Sequence, residues 1–132
     1  MKPKIYFETN PNIYKHWELL IEDSCAFLIM KVNEDAGFFE GYKLKLNSYD
    51  IGVDIELADA VQRIRFEHPN VNSVIIKSGN DKAFCAGANI KMLASSDHAH
   101  KVNFCKFTNE TRNFLENSFK ESSQFFICLV EG

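Results

Sequence analysis

The chain has 132 residues, of which 45% are hydrophobic and 25% charged, and its formal net charge is −3. This length and composition predict one globular domain, or part of one, with enough apolar residues to bury a core. Lys and Arg are not clustered, which excludes a typical nucleic-acid surface. Because the N-terminus shows no signal-peptide pattern and no apolar run could cross a bilayer, we expect no membrane partner and a cytoplasmic location.

The cysteines and histidines show no metal-binding spacing, and we predict no metal site. The cysteines are Cys25, Cys85, Cys105 and Cys128. Most lie inside apolar runs, where a reduced cysteine packs as a small hydrophobic side chain, and Cys85 has no nearby base that would make it a nucleophile. His98 and His100 are two residues apart, so they would not share one face of a helix.

The first half of the chain predicts an arm, a hairpin and a long helix. Residues 1–12 contain Pro3 and Pro11 and predict an N-terminal arm. Residues 17–22 and 25–32 predict two strands joined by a tight turn, and residues 33–41 predict a loop. The Lys-Leu alternation over residues 43–46 predicts a short half-buried strand, whose Lys43 and Lys45 could meet an anionic ligand but are better explained as a solvent-facing edge.

A helix is predicted over residues 51–67, because Val53, Leu57, Val61 and Ile64 recur at helical spacing and Pro69 follows. Residues 47–50 supply capping side chains. The acidic residues of this segment fit the polar side of an amphipathic helix, so they do not indicate a tuned acid or base. They are Asp50, Asp54, Glu56, Asp59 and Glu67.

Residues 73–93 are the stretch with the clearest chemical potential. They predict a strand, a polar turn, a loop of small residues and a short helix that begins near Asn89. The segment 86–89, Ala-Gly-Ala-Asn, could cradle an oxyanion or phosphate with backbone N–H groups at the helix start. An ordinary strand-to-helix turn with Asn89 as N-cap explains the same residues, and spacing alone favours it.

The last third predicts a helix over residues 98–118, capped by residues 95–97, and a strand over residues 125–130. This strand is almost continuously apolar, as expected in a parallel sheet covered on both faces. Strands joined by helices indicate an α/β layered domain. Because the sequence stops two residues after that strand, we expect an unfinished domain.

Residues 82–92, KAFCAGANIKM, resemble the first oxyanion-loop motif of the crotonase (enoyl-CoA hydratase/isomerase) superfamily. The preceding strand and the upstream Leu46-Asn47 match that family in order and spacing. Residues 41–57, 63–69 and 101–113 are similar to its benzoyl-CoA-dihydrodiol lyase branch. The resemblance implies that residues 13–132 form the N-terminal part of a ClpP/crotonase-like α/β fold, built of ββα units with an N-terminal hairpin.

The resemblance also implies a mechanism, in which two backbone N–H groups hold the thioester oxygen of an acyl-CoA substrate while negative charge develops on it. Ala88 would supply the first donor. The residues lining the CoA path would be Ala86, Gly87, Ala88, Asn89, Ile90 and Lys91. No metal and no cofactor beyond the CoA of the substrate is implied, and full-length members are expected to be homo-oligomers. Asn89 replaces the Asp of most members, and we expect it to cap the helix equally well.

In the family pattern the second donor, on a glycine-rich turn, and the acidic catalytic residues come after the strand that ends near residue 130. The resemblance therefore predicts a chain truncated before the second oxyanion turn and inactive alone. The full-length enzyme would open the ring of 2,3-epoxybenzoyl-CoA hydrolytically and release formate. The alternatives are a fragment of a general enoyl-CoA hydratase/isomerase and a non-catalytic acyl-CoA-binding module.

Overall fold

The structure, a computed structural model, describes residues 4–130. The expectations for residues 1–3 of the arm and for residues 131–132 lie outside this range. The elements in chain order are β1 (Trp17–Glu22), β2 (Cys25–Met30), α1 (Ile51–Glu67), β3 (Ser73–Ser78), α2 (Ile90–Ser95), α3 (His98–Ser122) and β4 (Phe125–Leu129). The four strands form one sheet in the order β1-β2-β3-β4, antiparallel between β1 and β2 and parallel thereafter.

The hairpin is the predicted one, and it is fixed to the long helix. Asp23 takes a positive φ of 54° in the turn, which lets β1 reverse directly into β2. Alternate residues of β2, namely Ala26, Leu28 and Met30, are buried against the core. The indole Nε1 of Trp17 donates to the Val53 carbonyl at 3.0 Å, so the first strand is joined to the first turn of α1.

Helix α1 has the predicted bounds and is the crossover between the parallel strands β2 and β3. Asp50 caps its first turn by accepting from the Val53 N–H at 3.1 Å. Its apolar face packs on the sheet in one cluster in which Val53 and Ile64 meet Leu28 and Val74. The main core thus lies between the sheet and α1, and a second cluster joins α1 to α2 and α3 through Ile55, Met92 and Phe104.

The strand predicted over residues 43–46 is wrong. The chain forms a short 3-10 turn at Lys45–Asn47 instead, in which Leu46 and Asn47 have φ values of 56° and 55°. Two successive left-handed residues reverse the chain direction and cannot belong to a strand. Leu44 is fully buried while Leu46 is exposed, so the Lys-Leu alternation reflects a tight turn over the core.

Strand β4 pairs in parallel with β3 as predicted, but the expectation that it is buried on both faces is wrong. Phe125, Ile127 and Leu129 are 52%, 48% and 50% exposed. Within residues 4–130, β4 pairs on one side only, and α3 is the element that packs beside it, through the edge-on contact of Phe119 with Phe125. An apolar strand is favoured in a buried position, but within residues 4–130 no element covers the exposed side chains of β4.

The structure corrects two further expectations, one about the acidic residues of α1 and one about the cysteines. Three carboxylates assigned to the polar side of α1 are buried, since Asp50 and Asp54 are 0% exposed and Glu56 is 6% exposed. The cysteines are free thiols, yet only Cys25 is partly buried, while Cys85, Cys105 and Cys128 are exposed rather than packed. Among residues 4–130, none of the helices has the length and apolarity that a membrane crossing requires.

Candidate functional site

An open groove of about 700 Å³ runs past the start of α2. One wall is formed by residues 41–48 and the other by residues 86–91. The residues that line the groove are Gly41, Tyr42, Lys43, Lys45, Ser48, Ala86, Ala88, Asn89, Ile90 and Lys91. Five of the six residues that the sequence pointed to therefore line one groove, and the sixth, Gly87, lies between two of them.

The loop before α2 is held so that the Ala88 peptide faces outward. The Tyr49 N–H donates to the Gly87 carbonyl and the Asn89 N–H donates to the Tyr49 carbonyl, both at 2.9 Å. In this parallel bridge the N–H of Ala88 points away from Tyr49. Within residues 4–130 the Ala88 N–H donates to no acceptor, which leaves it available for an oxyanion at an exposed position.

Gly87 is required by backbone conformation and not by space. Its φ is +85°, a region that residues with a Cβ rarely adopt. An added Cβ would meet nothing within 4 Å, so no neighbour forbids a side chain there. The conformation turns the loop between Ala86, whose N–H donates to the Leu46 carbonyl at 3.0 Å, and Ala88.

The Asn89 side chain has a dual role. Its Oδ1 accepts from the Met92 N–H at 2.9 Å, which confirms the prediction that Asn89 caps α2. Its Nδ2 donates to the Lys43 carbonyl at 2.7 Å and to the Ser48 hydroxyl at 3.0 Å, contacts that the sequence did not reveal. The residue is only 8% exposed, so the amide lies beneath the groove.

Three lysines give the groove a positive character. Lys43 and Lys45 stand on one wall and Lys91 on the other. The assignment of Lys43 and Lys45 to a solvent-facing strand edge is therefore replaced by a place at the groove. Lys43 also pairs with Asp35, a contact that lowers the pKa of that carboxyl and raises the pKa of the lysine.

Asn47 joins the ends of two strands to the loop. Its Oδ1 accepts from the Val32 N–H at 3.0 Å, just after β2. Its Nδ2 lies within 3.0 Å of three acceptors, the Met30 carbonyl, the Ser78 hydroxyl and the Phe84 carbonyl. The loop that carries Ala88 is thus fixed to the carboxyl ends of β2 and β3 by one buried side chain.

Two buried carboxylates support the walls through tyrosines. Asp50 accepts from the Tyr42 hydroxyl at 2.6 Å, and burial together with this bond raises the pKa of Tyr42. Asp54 accepts from the Tyr49 hydroxyl at 2.6 Å and from the Thr108 hydroxyl at 3.0 Å. Burial raises the pKa of Asp54. Neither carboxylate lines the groove. Asp50 holds Tyr42, which does line it, and Asp54 holds Tyr49, whose backbone bridges to Ala88.

The part of the chain that the structure describes brings together no group of three or more metal-ligating side chains. His98 and His100 both lie in the first turn of α3, as the sequence predicted.

The chain thus combines a mixed α/β sheet with an exposed loop at a helix start, and comparison with known proteins assigns this arrangement to a class. The profile of the enoyl-CoA hydratase/isomerase family matches residues 43–132. Solved structures share the fold. An enoyl-CoA hydratase of Geobacillus kaustophilus superposes with a TM-score of 0.71 and 32% identity over 86% of this chain and 37% of that protein. An enoyl-CoA hydratase of Shewanella pealeana superposes with a TM-score of 0.71, at 17% identity, over 92% of this chain and 41% of its own.

The chain belongs to the enoyl-CoA hydratase/isomerase family, and the predicted α/β, crotonase-like fold is confirmed as a partial one. Within the family it is 56% identical over 126 residues to the benzoyl-CoA-dihydrodiol lyase of Aromatoleum evansii. That match covers 96% of this chain and 23% of the relative, so the chain spans about a quarter of the relative's length. The resemblance to the lyase branch is thereby confirmed.

Proposed function

We propose that this chain forms the thioester-binding part of a benzoyl-CoA-dihydrodiol lyase. The observation that carries the proposal is the 56% identity to the Aromatoleum evansii lyase over 96% of the chain. The reaction proposed for the whole enzyme is the hydrolytic opening of 2,3-epoxybenzoyl-CoA with release of formate. It needs neither a metal nor a cofactor beyond the CoA of the substrate.

In this proposal the Ala88 N–H is one of two donors to the thioester oxygen. Its unpaired N–H supports the role, since a donor that is already held in place stabilises developing negative charge without reorganisation. The CoA phosphates lie along the groove near Lys45 and Lys91, where cations favour anionic groups. Ala86, Gly87 and Ile90 complete the path of the substrate.

The second donor and the acid–base groups are proposed to lie outside these 132 residues, in keeping with the 23% coverage of the relative. We therefore expect the chain to bind benzoyl-CoA without catalysing ring opening. The test is to titrate the chain with benzoyl-CoA by calorimetry and to incubate it with 2,3-epoxybenzoyl-CoA while formate is quantified. The proposal predicts saturable binding and no formate. Turnover by the isolated chain, or no binding, would contradict it.

A second candidate is a general enoyl-CoA hydratase or isomerase, which the 32% identity to the Geobacillus kaustophilus enzyme favours. A polypeptide extended to the length of the relative would discriminate between the two by hydrating crotonyl-CoA or by opening the epoxide. A third is a non-catalytic acyl-CoA-binding module, favoured by a groove whose walls are both formed by described residues. This module predicts micromolar binding of several CoA thioesters without preference for an aromatic acyl group. For the full-length protein we propose homo-oligomers and a cytoplasmic location.

A further inference from the structure

The two walls of the groove are joined by hydrogen bonds along its floor. At one end the Ala86 N–H donates to the Leu46 carbonyl at 3.0 Å, and the bridge between Tyr49 and Ala88 follows. These bonds join backbone to backbone. At the Lys43 end of the groove a side chain joins the two walls instead, since the Nδ2 of Asn89 donates to the Lys43 carbonyl at 2.7 Å. Among residues 4–130 no other hydrogen bond joins residues 41–45 to residues 86–91.

The Asn89 position requires an acceptor and donors in the same planar group. Its Oδ1 accepts from the Met92 N–H, while its Nδ2 donates to the Lys43 carbonyl and to the Ser48 hydroxyl. A carboxylate would still accept from Met92 and could accept from the Ser48 hydroxyl. It could not donate to the Lys43 carbonyl, and it would place one oxygen against another.

We propose that Asn89 is a positioning residue that sets the width of the groove by holding the Lys43 carbonyl beside the Ala88 loop. At 8% exposure most of the Asn89 side chain is buried at the floor of the groove that the residue helps to line. The link fixes the segment that presents Lys43 and Lys45 opposite Lys91. Without it, residues 41–45 would be held near the loop only through the bonds that begin at Leu46.

The inference rests on the proposed function for the identity of the ligand, and its first readout is independent of any ligand. Three variants separate the contributions. Asn89→Asp and Asn89→Ser both keep a capping oxygen for Met92 and lose the Nδ2 donor, and they differ in charge. Ser48→Ala is the matched control, because it removes one Nδ2 contact and leaves the bond to Lys43 intact.

The first measurement is amide hydrogen exchange at Leu44 and Ser48, whose N–H groups donate to the Glu34 and Lys45 carbonyls at 3.0 Å. We expect exchange about tenfold faster in both Asn89 variants, the factor that a loss of roughly 1.4 kcal/mol of local hydrogen bonding gives. Exchange at Leu44 in Ser48→Ala should remain near that of the original chain, and the Met92 amide should stay protected in both Asn89 variants.

The second measurement is the dissociation constant for benzoyl-CoA, taken where circular dichroism shows every variant folded. Both Asn89 variants should bind roughly fivefold more weakly. Ser95→Ala, an exposed substitution on α2 outside the groove, is the control for affinity and should bind like the original chain. Unchanged exchange at Leu44 and Ser48 in the Asn89 variants would overturn the proposal, and so would faster exchange with unchanged affinity. If the original chain does not bind benzoyl-CoA, the proposed function fails, while the exchange data still decide whether Asn89 holds the Lys43 segment.

Discussion

The carboxyl ends of β2 and β3 and the outer edge of β4 differ in a way that composition does not reveal. At the strand ends, polar side chains are buried where a core would be expected, with Asn47 at 1% exposure and Asp50 and Asp54 at 0%. At the β4 edge, apolar side chains stand in solvent. Buried polar groups that have all their hydrogen-bond partners hold the surrounding segments in one arrangement. Exposed apolar side chains gain stability from any surface that covers them, without specifying its geometry. The first region therefore holds the Ala88 loop in place relative to the strands, whereas the second offers an apolar surface to another part of a protein.

The largest effect should come from removing Asn47, the centre of the polar region. Asn47→Ala deletes the side chain that holds β2, β3 and the loop together, and leaves several buried groups without partners. We expect a loss of about 3 kcal/mol in the free energy of unfolding, measured by urea denaturation. Asn117→Ala, at an exposed position on α3, is the control and should cost little. Equal costs for both substitutions would mean that the polar region contributes no more than the surface.

The next largest effect is expected in the loop itself. Gly87→Ala forces a residue with a Cβ to keep a φ of +85°, and since nothing lies within 4 Å the cost is conformational, about 1–2 kcal/mol. Gly87→Asn should cost less, because Asn tolerates this region better. The free energies of unfolding of the two variants provide the test, and a larger cost for Asn than for Ala would show that space, not conformation, requires the glycine.

A pH dependence should separate a buried carboxyl from an exposed one. Burial raises the pKa of Asp54 in the folded chain above its ordinary value of 3.8, because the charged form is disfavoured there. The contribution of Asp54 to stability therefore falls as pH rises from the ordinary pKa through the raised pKa of the folded chain. Asn at position 54 stays neutral. Relative to the original chain, Asp54→Asn should therefore gain stability between about pH 4 and pH 7.

The opposite sign is expected for Asp35→Asn. The hydrogen bond and charge of Lys43 lower the pKa of Asp35, so this carboxyl stabilises the fold above the ordinary value and loses that contribution as pH falls. Urea denaturation of both variants and the original chain from about pH 2 to pH 7 measures the two differences, because the Asp35 contribution changes below its ordinary pKa and the Asp54 contribution above it. A common sign for both would contradict the assignment of burial to Asp54 and ion pairing to Asp35.

The smallest change in stability is expected at the exposed edge. Ile127→Lys replaces a half-exposed side chain on β4 and should alter the free energy of unfolding by no more than about 0.5 kcal/mol. We also expect copies of the chain to associate through this open apolar edge, and the added charge should reduce that association in sedimentation experiments, since a charge on an open edge opposes strand pairing. Leu20→Lys is the matched control on β1, an edge that already carries Glu18 and Glu22, and it should leave association unchanged.

The sequence predicted those features of the fold that are determined by residues close together in the chain. The bounds of α1, the hairpin and the cap of α2 follow from neighbouring residues, and all three predictions are confirmed. The 3-10 turn was missed because the positive φ values of Leu46 and Asn47 are maintained by contacts with segments 15 to 37 residues away. The sequence around residue 44 contains no pattern that predicts contacts of Asn47 with Val32 and Phe84.

The candidate groove was predictable in part for the same reason. The loop at residues 86–91 has a recognisable sequence, whereas the opposite wall at Lys43 and Lys45 joins it only through tertiary contacts. The burial of Asp54 could not be predicted, because its partner Tyr49 lies 5 residues away in the segment before α1 and its partner Thr108 lies 54 residues away on α3. The exposure of β4 depends on what covers it, which its own five residues do not specify.

The bond from Trp17 to Val53 gives the chain a built-in optical reporter. Trp17 is the sole tryptophan of the sequence, it is 6% exposed, and its indole is held at the junction of β1 and α1. Its fluorescence should therefore shift to longer wavelength when that junction opens to water. Since Trp17 does not line the groove, the signal should follow unfolding of each variant without interference from a bound CoA thioester.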